Sequence, residues 1–144
     1  MNNTELRACV REALQRTDVM ALSTIDDDGG PWTSPVQYQA DSQLNLYFAS
    51  MPDARHVRNV QRDARVAVAI YNMPGPPGGN LGLQIRGHAV AMPSGGGRDG
   101  WQRFKIESTE TWYFDSRVDR QRHRVDVGHG DVRSETRDPA DDKQ

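Results

Sequence analysis

The residue types best suited to chemistry fall in one stretch, YFASMPDARHVRN at residues 47–59. An alternating apolar pattern delivers Ser50 at the end of a strand, and Met51-Pro52 breaks that strand. Asp53 stands where a short helix over Ala54 to Arg62 would take its N-cap. Arg55 and His56 then lie in the first turn. A hydroxyl, a guanidinium and the unpaired N–H groups of a helix start together make a competent phosphate site. A cation in that turn is otherwise unfavourable, because the helix dipole already places positive charge there. The same residues also suit a capped surface helix, and residue types alone leave both readings open.

Other chemistries find less support. The four histidines, His56, His88, His123 and His129, show no i,i+4 pair and no H-E-x-x-H, and Cys9 is the single cysteine. That excludes an internal disulfide framework and multi-cysteine metal sites, and it argues against structural zinc. The glycine-rich segments GPPGGN and GGGRDG do not match a phosphate-loop pattern, and no G-x-S-x-G elbow occurs. Arg117, Arg120, Arg122, His123 and Arg124 are interleaved with Asp115, Asp119 and Asp126, which reads as a solvated hairpin. Lys+Arg 18 against Asp+Glu 20 gives a net charge of −2, so nucleic acid and membrane surfaces are not expected partners. No apolar run approaches the ~18 residues of a membrane span. The start, MNNTELRACVREA, lacks a signal-peptide core, so a cytoplasmic protein is expected.

The elements that must position these residues follow from periodicity. Leu6, Cys9, Val10, Ala13 and Leu14 form the apolar stripe of a helix over residues 4–16, with Asn2, Asn3 or Thr4 as its cap. Cys9 reads as a buried small hydrophobe. Val19–Ile25 is a strand ended by the turn cluster DDDGGP, and Trp32–Ala40 is a second, on which Pro35 demands an edge or a bulge. Asp41-Ser42 turns the chain into a third strand through Leu44, Leu46 and Phe48. Arg65–Tyr71 reads as a strand buried on both faces. Leu81–Met92 is a long strand with a bulge or bend at Gly87. A short helix carrying Trp101, Phe104, Lys105 and Ser108 is expected next, then strands at Thr111–Asp115 and near Arg124–Val127. Many short strands at hairpin spacing in 144 residues favour one closed or partly closed barrel. Residues 128–144 carry only Val132 and Ala140 as apolar groups and read as a disordered tail after a domain over 1–127.

Four blocks in order, ALSTIDDDGGPWTSPV, LYFASMPDARHVRNV, ARVAVAIY and LQIRGHA, resemble the pyridoxamine 5′-phosphate oxidase-like superfamily of FMN-binding proteins. The resemblance covers residues 5–92 well and 110–127 more weakly. It implies a mainly β fold, a six-stranded antiparallel split β-barrel with flanking helices, paired as a homodimer with the flavin groove between subunits. It places Ser50, Arg55 and His56 at the phosphate positions, and Thr33, Ser34, Pro35 and Val36 on the strand whose backbone borders the flavin ring. Two departures stand out. Ala54 replaces a common Ser, and His56 replaces a common Lys, exchanging a permanent cation for one that titrates near neutrality. The C-terminal substrate signature of the true oxidases is absent, RQRHR at 120–124 overlapping it only by coincidence. The implied function is an FMN-dependent oxidoreductase acting on an unidentified small substrate. The alternatives are a deazaflavin-dependent reductase and a flavin or haem carrier without turnover.

Overall fold

The computed structural model describes residues 1–72, 80–93 and 100–128. In chain order the described elements are α1 (Asn3–Gln15), β1 (Val19–Ile25), β2 (Pro31–Gln37), β3 (Gln39–Ala40), β4 (Leu46–Ser50), α2 (Arg55–Arg62), β5 (Arg65–Asn72), β6 (Leu81–Ala91), β7 (Gln102–Asp115) and β8 (Arg122–Arg124). Every strand pairing is antiparallel, in the order β2-β1-β5-β6-β7-β4-β3, with β8 added to β7. The sheet curls until β2 and β4 approach each other without pairing. This is a split barrel with flanking helices. Among the described residues its strands number eight rather than six, because β3 and β8 are short additions of two and three residues.

Alternation explains the interior. Met20 and Leu22 of β1, Leu46 and Phe48 of β4, Val66, Val68 and Ile70 of β5, and Phe104 and Ile106 of β7 all point inward and are buried. Phe48 and Phe104 stack with ring centroids 5.1 Å apart. Helix α1 lays Leu6, Val10, Ala13 and Leu14 on this core, started by a capping box between Asn2 and Glu5. Cys9 is only partly buried at the edge of that stripe.

Several expectations need correction. Strand β5 is buried on one face only: Ala67 and Ala69 face outward and Tyr71 is 68% exposed. Near-continuous apolar residues suggested two buried faces, but the outward ones are alanines, small enough to leave a sheet surface open. The helix expected at Trp101–Ser108 is strand, the first half of β7. Phe104 and Ile106 point inward there, whereas further along Thr111, Tyr113 and Asp115 do. The phase changes because Arg86 pairs with Glu110 while Gly87 pairs with Ser108, leaving Thr109 as the extra residue of a bulge. The helical spacing of Trp101, Phe104, Lys105 and Ser108 masks the period of two before that bulge. Gly87 is required beside it, since a Cβ there would lie 2.3 Å from the Glu107 carbonyl oxygen. The expected strand Trp32–Ala40 breaks at Tyr38, whose backbone N–H donates to Asp18 and whose hydroxyl donates to Leu14 and Thr17 carbonyls. Pro35 lies on β2 at the edge of the sheet, where its missing N–H costs no ladder bond. The final strand is Arg122–Arg124, ahead of the expected position. The tail expectation falls on residues that, from 129 onward, lie outside those described.

Candidate functional site

The split between β2 and β4 is where the sheet leaves strand edges unpaired, and β4 runs directly into α2 there. Ser50 ends β4 and is buried, 8% exposed. The turn that follows ties the Ala54 N–H to the Met51 carbonyl, and α2 then begins at Arg55. Asp53 is not the cap. The N-cap is Ala54, with extended backbone and no side-chain cap bond, so the first-turn donors receive no carboxylate from their own chain segment. The first intrahelical donors are Val57 and Arg58, both to the Ala54 carbonyl. The N–H groups of Arg55 and His56 precede them and face the helix start. No acidic residue occupies this turn.

The sequence-predicted residues are only partly brought together. His56 Nε2 lies 2.7 Å from Ser50 Oγ, with its ring tilted against Phe48. Burial pushes the His56 pKa below its ordinary 6.5, disfavouring the charged imidazolium. Arg55 turns to a partner that sequence reasoning read only as a turn residue. Its Nε donates to Asp26 Oδ1 at 3.0 Å, its Nη2 donates to Asp26 Oδ2, and its guanidinium lies 3.6 Å from the Trp32 ring centroid. These bonds, with one from Asn59, hold the Asp26 carboxyl below the usual carboxylate range. Asn59 Nδ2 donates to Thr24 Oγ1 at 3.0 Å and to Asp26 Oδ1 at 2.9 Å. Arg62 Nη2 in turn donates to Asn59 Oδ1 at 2.8 Å and to the Ile25 carbonyl at 2.7 Å. Asn59 is 3% exposed, so this network is built into the packing of α2 on β1.

On β2 the four predicted residues divide by face. Thr33 and Pro35 point outward, Ser34 is half-buried, and Val36 is buried in the core. Thr33 Oγ1 lies 2.9 Å from Ser23 Oγ on β1. Outward of this edge runs a groove of about 490 Å³ floored by Ala21, Ser23, Ala67 and Ala69 and walled by Thr33 and Trp112. A second groove, about 570 Å³, spans the split itself, with Gln37 and Gln39 on one side and Tyr47, Ala49 and Arg103 on the other. Arg103 lies over the Tyr47 ring at 4.7 Å. Sequence reasoning missed Asp26, Asn59, Tyr47 and Arg103; a glycine-rich acidic turn and an exposed strand face carry no local signature of a distant partner.

The amino-acid sequence matches the pyridoxamine 5′-phosphate oxidase model over residues 6–134. The chain belongs to that family. Solved structures share the fold at low identity. A heme-binding protein from Mycobacterium smegmatis aligns with a TM-score of 0.70 at 17% identity, over 85% of this chain and 58% of that one. A putative pyridoxamine 5′-phosphate oxidase from Listeria innocua aligns at 0.64 and 20%, over 76% of this chain and 98% of that one. An F420 reductase aligns at 0.60 and 16%, over 70% of this chain and 94% of that one. No curated protein matches the chain. Among the described residues, no helix is long and apolar enough to cross a membrane, and no cluster of three metal-ligating side chains occurs.

Proposed function

We propose that this family member is an FMN-dependent oxidoreductase acting on a small substrate, working as a homodimer. The observation that carries the reading is the uncapped start of α2 beside buried Ser50. A helix N-terminus with no acidic side chain and no cap leaves donors for an anion, and a serine hydroxyl stands next to them. This donor set fits a flavin phosphate. Ser50, the N–H groups of Arg55 and His56, and the remaining N–H groups of Arg55 would hold it, with β2 from Thr33 to Val36 alongside the ring. When bound, the flavin supplies the electron transfer; the protein supplies orientation and electrostatics.

The outward face supports the second subunit. Alanines 21, 67 and 69 with exposed Tyr71 leave an uncovered, mostly apolar sheet surface beside β2. Two-fold pairing is the usual closed arrangement for identical chains. A deazaflavin-dependent reductase is the second reading, supported by the likeness to the F420 reductase. A flavin or haem carrier without turnover is the third, supported by the likeness to the heme-binding protein.

A native mass spectrum of the purified chain after incubation with FMN tests the reading. The expected species is a dimer carrying two FMN. A monomer without flavin, or a dimer that takes up only deazaflavin or haem, contradicts it.

A further inference from the structure

We propose that Asp26 is a specificity-determining residue: by occupying Arg55 it keeps the phosphate contribution small, so the site admits flavins with and without a phosphomonoester. This rests on the assignment of the α2 start as the phosphate site. A guanidinium owes its strength toward phosphate to two parallel N–H bonds from its fork. Here Asp26 takes that fork through Nε and Nη2, and Trp32 covers one face. Only the remaining N–H groups are left for a ligand.

Asp26 is also held in place. Its side chain is 12% exposed, and Asn59, anchored to Thr24 and Arg62, donates to it from behind. A ligand phosphate therefore has to share Arg55 rather than displace a mobile carboxylate. The surrounding charges do not make up the loss. Asp27 and Asp28 follow Asp26 in the same turn and act on Arg55 through space. Burial disfavours a charge on His56, Arg58 donates to the Asp53 carbonyl, and Arg62 is engaged with Asn59 and Ile25. A phosphate dianion meets a hydroxyl, backbone donors and a neutralised cation. Affinity must then come chiefly from the ring and the ribityl chain.

The test is a set of fluorescence titrations with FMN and with riboflavin on the wild type, Asp26→Asn, Arg55→Ala and the double variant. In the wild type FMN should bind less than about tenfold more tightly than riboflavin, where a free charge-assisted pair gives about ten- to a hundredfold. Asp26→Asn should tighten FMN by about tenfold while moving riboflavin by less than about threefold. Arg55→Ala should cost FMN less than about threefold alone, but about tenfold or more in the Asp26→Asn background. Riboflavin binding doubles as the folding control. If Asp26→Asn loses it, the wild-type ratio still decides, and a preference for FMN beyond about tenfold overturns the inference. An Asp26→Asn protein that keeps riboflavin but weakens toward FMN shows that Asp26 positions Arg55 instead of competing for the ligand, and also overturns it. Equal binding of both flavins in all four proteins refutes the phosphate site itself, and the inference falls with it.

Discussion

The β6–β7 ladder and the start of α2 hold themselves together in opposite ways. The ladder runs from Leu81 opposite Asp115 to Ala91 opposite Phe104, with one interruption, and its residues are specified by alternation and volume. Its backbone groups satisfy each other, so outward positions carry little structural demand. The α2 start is held by side chains whose partners are distant in sequence: Arg55 with Asp26, Asn59 with Thr24, Arg62 with Ile25. Here volume matters less than charge and donor count. One region makes the barrel rigid; the other holds polar groups in fixed positions, which is what recognition of an anion requires.

Substitutions can sharpen or break that contrast. Phe104→Ala should be the most destabilising, by about 3–5 kcal/mol in urea denaturation, because it empties the stack against Phe48. Gly87→Ala should cost about 3 kcal/mol by the same measurement, since its Cβ would meet the Glu107 backbone and force the bulge open. Asn59→Leu should cost about 2 kcal/mol, leaving the Thr24 hydroxyl and Asp26 short of a donor. By loosening Asp26 from Arg55 it should tighten FMN, whereas neither ladder variant should shift FMN affinity at temperatures where all three are folded. If the ladder variants shift FMN equally, the two regions are not separable.

The smallest expected effect is pH-dependent. His56 has a folded-state pKa below its unfolded 6.5, so the unfolded chain binds the proton more readily. Its contribution is complete above that value and is lost as pH falls from about 6.5, by at most about 1.4 kcal/mol per pH unit. Melting temperature should therefore drop between about pH 7 and pH 5 in the wild type, and less in His56→Gln. An identical drop in the variant would assign the titration elsewhere.

Much of the barrel was legible because alternation is local. Val66, Val68 and Ile70, the Asp41 turn and the edge placement of Pro35 all follow from residues within a few positions of one another. The first half of β7 was not legible, because Trp101, Phe104, Lys105 and Ser108 fall at helical spacing and only Phe104 and Ile106 mark its inward face. At the site, Ser50 and His56 sit six residues apart and do meet. Arg55 was legible as a cation at a helix start, but its partner was not. Asp26 lies 29 residues earlier in a run of three aspartates, and only the packing of α2 on β1 selects it from the other two. Whether Arg55 serves a ligand or a carboxylate is a question of tertiary placement, beyond the reach of spacing.

The most direct measurement is a crystal structure of the full chain soaked or grown with FMN. The phosphate should sit within hydrogen-bond distance of Ser50 Oγ and of the Arg55 and His56 backbone N–H groups, with the ring along β2. A phosphate bound away from the α2 start, with that N-terminus facing only solvent, would contradict the assignment.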